Sequence, residues 1–401
     1  MSDQKNFRAE TRSWLEENCP QSMRGQRFNI ETSHHIYKTS DGKTWLDAMA
    51  GRGWTAPTWP REYGGGGLNH RQAAILSQEL KRIGASTPGG GMGTIMIGPT
   101  LLEFGTAEQK QRHIPKIVSG EVVWCQGFSE PGAGSDLASL QTKAVVEGDH
   151  FVINGQKIWT SMAQIADWMF ALVRTDPDAA KHEGISFVLL DMHQPGVSIK
   201  PIRLISGSSP FCETFFDNAI AQRDNLVGEL NKGWTVAKRL LQFERSSIGG
   251  MSDDGDARKS RTDDKAKSQS NFKNLAKRYI GEAQGRIADP GYRDEILQHV
   301  MKDRAFKLTV QRVGEELQSG MSVGNAATIF KLVGSYLQQD SSDLKRKLMG
   351  TQGLGVEGDD FEEHELNMSR LWLANRATSI YGGSNEVQMN IIAKRVLGLP
   401  D

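Results

Sequence analysis

Near the C-terminus, the segment TSIYGGSNEVQ (378–388) places an aromatic, two glycines and Ser384-Asn385-Glu386 directly ahead of the helical pattern VQMNIIAKRVLGL. Glycines let a backbone approach a ligand closely, and the Ser-Asn-Glu run can cap the helix that follows. The loop is therefore either a capped helix start or a cofactor contact, and Glu386 either a contact or a catalytic carboxylate. A second stretch, CQGFSEPGAGSDLASLQTKA (125–144), puts Pro131, Gly132 and Gly134 into a compact turn. Its backbone amides can converge on one acceptor, with the Ser129 and Ser135 hydroxyls around it, as a phosphate or an isoalloxazine edge would need. An ordinary hairpin is the competing reading. In NGQKIWTSMAQIADW (154–168), Trp159 can cover an aromatic ring while Thr160 or Ser161 hydrogen-bonds its heteroatoms; otherwise it is a buried tryptophan at a strand end.

The elements that must position these residues fall into three zones. Residues 1–120 carry helical patterns such as HRQAAILSQELKRIG and GPTLLEFGTAEQKQRHIPKIVSG, broken by GWTAPTWPREYGGGGL. Residues 121–230 change to short strand-like runs: EVVWCQGF, QTKAVVEGDHFVINGQKIWTS, WMFALVRT, ISFVLLDM and VSIKPI. Gly148-Asp149 and Asn154-Gly155 are expected to be the turns of antiparallel hairpins. Residues 231–401 return to helical spacing, interrupted at 252–271 by the polar stretch SDDGDARKSRTDDKAKSQSN, expected to be a solvated loop or a poorly ordered insertion.

With 401 residues the chain can bury a large core in two or three domains. Lysine plus arginine balances aspartate plus glutamate at 48 each, so nothing attracts nucleic acid or an anionic membrane. Cys19, Cys125 and Cys212 are far apart and fit no metal spacing. The N-terminus reads as polar and helical rather than as a signal peptide, and no apolar run reaches the ~18 residues of a membrane span. A reducing compartment, most simply the cytoplasm, is expected.

Taken together, GWTAPTWPREYGG, GFSEPGAGSDLASL, INGQKIWTS, NLVGELNKGW and IYGGSNEVQMNIIAKRVLGLP resemble the acyl-CoA dehydrogenase family in order and spacing over nearly the whole chain. The resemblance implies an α+β multidomain fold: an N-terminal helical domain, a middle antiparallel β-barrel or sandwich, and a C-terminal four-helix bundle. It implies FAD between the last two domains, with the adenine end reaching a neighbouring subunit of a dimer or tetramer. Carried over residue by residue, Gln126, Phe128, Ser129 and Ser135 line the flavin and pyrophosphate. Trp159 packs on the flavin, Thr160 and Ser161 meet its reactive edge, and Ser384, Asn385 and Glu386 meet the other end of FAD. Ser135, Arg245, Tyr381 and Gly382 are expected to contact the acyl-CoA.

Two departures from the family pattern sharpen this reading. Many members carry the catalytic glutamate directly after the loop's tyrosine, where this chain has Gly382. A second family arrangement puts the base on the first long helix of the bundle, and the matching residue in LLQFERSSIGG is Glu244, followed by Arg245. By pattern alone an adjacent Glu-Arg pair on a helix is a solvated face; the resemblance makes Glu244 the base and leaves Glu386 as a cofactor contact. Glu244, desolvated and raised in pKa, would take the α-proton while hydride leaves the β-carbon for flavin N5. The Gly382 N–H and the FAD ribityl chain would hold the thioester carbonyl, and Arg245 would orient the helix or the loop. The second departure is the loss of an Arg-x-x-Phe stretch that helps hold FAD across subunits, for which Arg278 or Arg293 are the available substitutes. This segment resembles a bacterial branch acting on bulky or unusual acyl-CoAs, some members of which assemble as heteromers. The implied activity is α,β-dehydrogenation in acyl-CoA catabolism with electrons passed to an electron-transfer flavoprotein. The alternatives are a subunit that completes a partner's FAD site and an acyl-CoA oxidase.

Overall fold

The computed structural model describes residues 2–25, 38–248, 272–318 and 326–400, the side chains of 2–3, 244–248, 317–318 and 326–327 excepted. Two compact units divide the chain: Met1–Ile202 with Ser209–Ser247, and Arg203–Ser208 with Ile248–Asp401. Among the described residues no helix is long and apolar enough to cross a membrane.

The first unit opens with α1 (Ser2–Asn18), α2 (Ser40–Gly51), α3 (His70–Ile83), α4 (Gly98–Phe104) and α5 (Ala107–Val118). The boundaries follow from local chemistry. Asn69 and Thr106 each accept from the backbone three residues on, and Gln72 and Gln109 reach back, forming capping boxes at α3 and α5. Gly84 ends α3 in the left-handed conformation at φ 71°. Leu15, Trp45, Met49, Trp54, Leu76 and Leu80 form the core of this helical region. Glu79 is buried there but is not left alone: Arg8, Arg12 and Arg82 donate to it at 2.9, 2.9 and 2.7 Å.

Seven strands follow: β1 (Trp124–Gly127), β2 (Lys143–Glu147), β3 (His150–Ser161), β4 (Trp168–Arg174), β5 (Ile185–Asp191), β6 (Val197–Ile202) and β7 (Phe211–Gln222). They make one sheet in the order β1-β4-β2-β3-β7-β6, with β5 also on β4. The sheet is mostly antiparallel, as expected, but β1 runs parallel to β4, with Gln126 opposite Phe170. Residues 169–173 of β4 are all buried because both faces are covered, which accounts for their unbroken apolar run. Phe170 and Leu172 face a core shared with Leu101, Ile114 and Ile117, while Met169 and Val173 face Phe151, Ile153 and Phe216. Asn154-Gly155 is not a hairpin turn. It lies inside β3, where the register against β7 shifts between Ile153 and Gly155. Gly155 takes φ 150°, and a Cβ there would sit 2.7 Å from Thr142 Oγ1, so this Asn-Gly serves a bulge that bends a continuous strand.

Helix α6 (Gly233–Ile248) sends Val236, Ala237 and Leu240 into the core that holds Phe187 and Leu189, so that core continues past residue 230. The second unit contains a helical run at 272–279, then α7 (Pro290–Gln318), α8 (Phe330–Met349), α9 (Glu363–Ala374) and α10 (Asn385–Ile391). Phe272, Leu275, Ile296, Leu344, Leu348 and Met349 form its core. The polar stretch 252–271 lies outside the described residues.

Candidate functional site

In the first unit the glycine-serine turn is built around a buried carboxylate. The backbone of Glu130 pairs with Ala133 in both directions, at 2.9 and 3.0 Å, closing the turn. Its side chain points inward and accepts from the backbone N–H groups of Gln141 and Thr142 at 2.6 and 2.9 Å. Lys157 of β3, with no exposed surface, donates to the same carboxylate at 2.7 Å and to the Phe128 carbonyl at 3.1 Å. Burial pushes the Lys157 ammonium down to about 8 against the pull of Glu130. Burial would raise the Glu130 carboxyl, but the charge and hydrogen bond of Lys157, with the Thr142 and Gln141 donors, hold it below its ordinary value. The two groups form a buried ion pair, Nζ to Oε1, at 2.7 Å. Outside this anchor, Ser135 is exposed, and a Cβ built at Gly132 or Gly134 would meet no described atom within 4 Å. Neither glycine has a positive φ. What they leave is room in front of the backbone.

Two residues beyond Lys157 the chain breaks its pleat again, with a register shift between Lys157 and Thr160. Trp159 sits at φ 60° there, a left-handed conformation that costs an L residue about 1–2 kcal/mol. A bulky residue in that region is an outlier that points to a role. The bulge turns the indole outward: it is 52% exposed and stands nearly perpendicular to Phe211, ring centroids 6.1 Å apart. An exposed flat indole fits an aromatic ring, and the Ile158 N–H, donating to the Ser129 carbonyl at 2.9 Å, joins the bulge to the start of the open turn.

The expected contacts of this unit differ in how much surface they expose. The Phe128 ring is 4% exposed and packs edge-on against Phe170 and Phe187, so it offers a ligand no ring surface. Thr160 is wholly buried, its hydroxyl without a partner among the described residues, which leaves half-buried Ser161 as the hydroxyl with surface. Gln126 is half-buried on β1. The backbone of Glu244 and Arg245 lies in α6; their side chains are outside the described residues.

In the second unit, Ser384 caps α10, its hydroxyl accepting from the Val387 N–H at 3.3 Å. Asn385 is buried, and its side-chain oxygen accepts from Lys331 Nζ at 3.0 Å and Ser335 Oγ at 2.9 Å, tying the loop to α8. Glu386 is exposed in the first turn; its own backbone N–H, then the Ser384 hydroxyl, hold its carboxyl below the ordinary value. Gly382 and Gly383 take φ 65° and 88°, conformations suited to glycine. Ile380 and Tyr381 project, 68% and 50% exposed. Both proposed substitutes for the missing arginine are engaged: Arg278 pairs with Glu362, and Arg293 donates to the Ile287 carbonyl at 2.7 Å. A cavity of about 550 Å³ between α7, α8 and α9, reached by His299, Lys345 and Leu371, contains none of the expected cofactor or acyl contacts.

Glu130 and Lys157 are absent from the expected site. Their only signal is that each chemistry-bearing motif, FSEPGAGSD and NGQKIW, carries a charge that strand patterning would put at a surface.

A helical N-terminal region, a mostly antiparallel sheet and a helical C-terminal region follow one another along the chain. Profiles described as acyl-CoA dehydrogenase N-terminal, middle and C-terminal domains match residues 1–121, 125–219 and 272–397. Acyl-CoA dehydrogenase IpdE1 of Mycolicibacterium smegmatis is 36% identical over 413 residues, spanning 100% of this chain and 99% of that protein. A solved structure described as the Tcur3481-Tcur3483 steroid ACAD aligns with TM-score 0.75 and 27% identity, over 100% of this chain and 98% of its own. The ChsE4-ChsE5 complex of Mycobacterium tuberculosis aligns with TM-score 0.73 and 29% identity, over 100% and 98%. The chain belongs to the acyl-CoA dehydrogenase family, FAD-dependent oxidoreductases of acyl-CoA thioesters.

Proposed function

We propose that this chain oxidises the Cα–Cβ bond of a bulky acyl-CoA to the trans-2-enoyl-CoA and passes the electrons to an electron-transfer flavoprotein. The observation that supports it most is Trp159, held outward in a strained conformation beside the open turn at 132–135. Gln126, Ser129, Ser135, Trp159 and Ser161 would hold FAD, with Phe128 and Thr160 contributing through their backbones. Ser384 and Glu386 would contact it as well, with Asn385 positioning their loop. FAD, when bound, supplies the acceptor for the hydride leaving the β-carbon. Glu244 takes the α-proton, and the Gly382 N–H donates to the thioester carbonyl as negative charge develops on it. Ser135, Arg245 and Tyr381 border the acyl-CoA. Domain boundaries near 120 and 230, and a cytoplasmic location, belong to the same proposal.

A bulky substrate is favoured by likeness to a structure described as a steroid ACAD. Hetero-oligomeric assembly is a second reading, favoured by likeness to the ChsE4-ChsE5 complex and by the engagement of Arg278 and Arg293. Flavin content of the singly expressed chain, followed by anaerobic bleaching with a panel of acyl-CoAs, tests both. Yellow protein bleached best by bulky thioesters is expected. A colourless chain that takes up FAD only with a partner would replace the stand-alone reading by the heteromeric one.

A further inference from the structure

Glu130 and Lys157 lie 27 residues apart in sequence and form a buried ion pair in which both partners have further hydrogen bonds. Such a pair contributes little net stability over apolar residues of the same size, because desolvation offsets the attraction. What it fixes is relative position. Through Glu130 it holds the turn that closes at Ala133 and the chain at Gln141-Thr142; through Lys157 it holds β3 immediately before the bulge at Trp159. The Ile158 N–H donates to the Ser129 carbonyl at 2.9 Å, so the turn and the bulge are also joined beside the pair.

We propose that the Glu130–Lys157 pair is a positioning device that holds the 129–135 turn and the Trp159 indole in the one mutual arrangement that grips the flavin. The inference rests on the FAD reading above. Neither side chain touches the ligand: Lys157 has no exposed surface, and Glu130 is 8% exposed. The pair acts through the backbone on either side of it. Burial also explains why an otherwise costly left-handed tryptophan persists, since the residue two positions before it cannot move without unpairing a charge.

The test is a double-mutant cycle on the full-length chain, with FAD dissociation and the visible flavin absorbance and circular dichroism as readouts. Lys157→Met keeps the length and removes the charge; Trp159→Ala removes the indole. Lys157→Met is expected to weaken FAD binding about tenfold and to shift the flavin bands. In its presence Trp159→Ala should lose most of its own effect, a non-additivity of about threefold or more. Ile153→Val, in the same sheet core, lowers the melting temperature and should leave FAD affinity and bands unchanged. If Lys157→Met does not fold, Glu130→Gln, which retains an acceptor, enters the same cycle with the same expectation. Additive effects, or a lower melting temperature with unchanged FAD affinity and bands, would reduce the pair to a structural role and overturn the proposal. A wild-type chain that takes up no FAD, either alone or with a partner subunit, would overturn the FAD reading together with it, so the two failures are distinguishable.

Discussion

The turn at 128–135 and the loop at 378–386 are the two segments expected to meet FAD, and they are anchored by opposite means. The turn is held by a fully buried ammonium and its carboxylate, and the neighbouring bulge carries a tryptophan at φ 60°. The loop is held by a helix cap, an asparagine accepting from Lys331 and Ser335, and Gln339, whose amide lies 3.2–3.3 Å from the Asn375 and Arg376 carbonyls and the Thr378 and Ser379 hydroxyls. Its left-handed positions are glycines, which adopt them without strain. Where a bulky side chain must take an unfavourable backbone, a buried charge pair pins it. Where glycine supplies the dihedral, hydrogen bonds at one edge are enough.

The largest expected effect falls on neither segment. Glu244→Gln should slow anaerobic flavin reduction by about 10²–10⁴-fold, with FAD content and melting temperature unchanged. Reduction at the wild-type rate would remove the base from α6. Asn385→Ala breaks the loop's anchor and takes the acceptor from Lys331, while Ser335 keeps the Leu332 carbonyl, which should cost about 1–3 kcal/mol. Calorimetry should show a lower unfolding temperature together with weaker FAD retention; an unchanged thermogram would mean the loop is held elsewhere. Trp159→Ala sharpens the contrast, because it should lower FAD retention by about 0.5–1.5 kcal/mol of lost ring contact without destabilising the fold. Alanine at φ 60° carries the same left-handed strain, so the melting temperature should stay close to that of the wild type, and a marked drop would mean the indole is structural. Glu386→Ala should do least, since it removes only an exposed negative charge from the start of α10. It should appear as weaker FAD binding at an unaltered reduction rate in the FAD-saturated enzyme, measured by stopped flow.

Much of the fold was legible because its signals are local. The helical patterns HRQAAILSQELKRIG and GPTLLEFGTAEQKQRHIPKIVSG, the apolar run of β4 and the other strand-like runs of the middle zone correspond to elements in the places expected. β7 was not singled out, although FCETFFDNAIAQ alternates: its charged and amide residues dilute the apolar face over much of its length. Asn154-Gly155 is the strongest dipeptide signal for a hairpin, yet the same left-handed tolerance serves a bulge when both flanking runs pair with one neighbour. The site was legible by motif and less so by side chain. Strand alternation does not survive two bulges in β3, so which of Trp159, Thr160 and Ser161 faces outward could not be read from spacing. The Glu130–Lys157 contact is non-local, and lysine and glutamate are ordinarily surface residues. Nothing short of the fold brings them together.

Gly382 carries one more consequence. A Cβ there would meet no described atom within 4 Å, so volume does not keep a carboxylate off this loop. The torsion does: at φ 65° any L residue incurs about 1–2 kcal/mol, and relieving it means rotating the peptide plane. That rotation would redirect the N–H that we propose donates to the thioester carbonyl. In the proposed site a base and an oxyanion donor at position 382 would compete for a single dihedral angle.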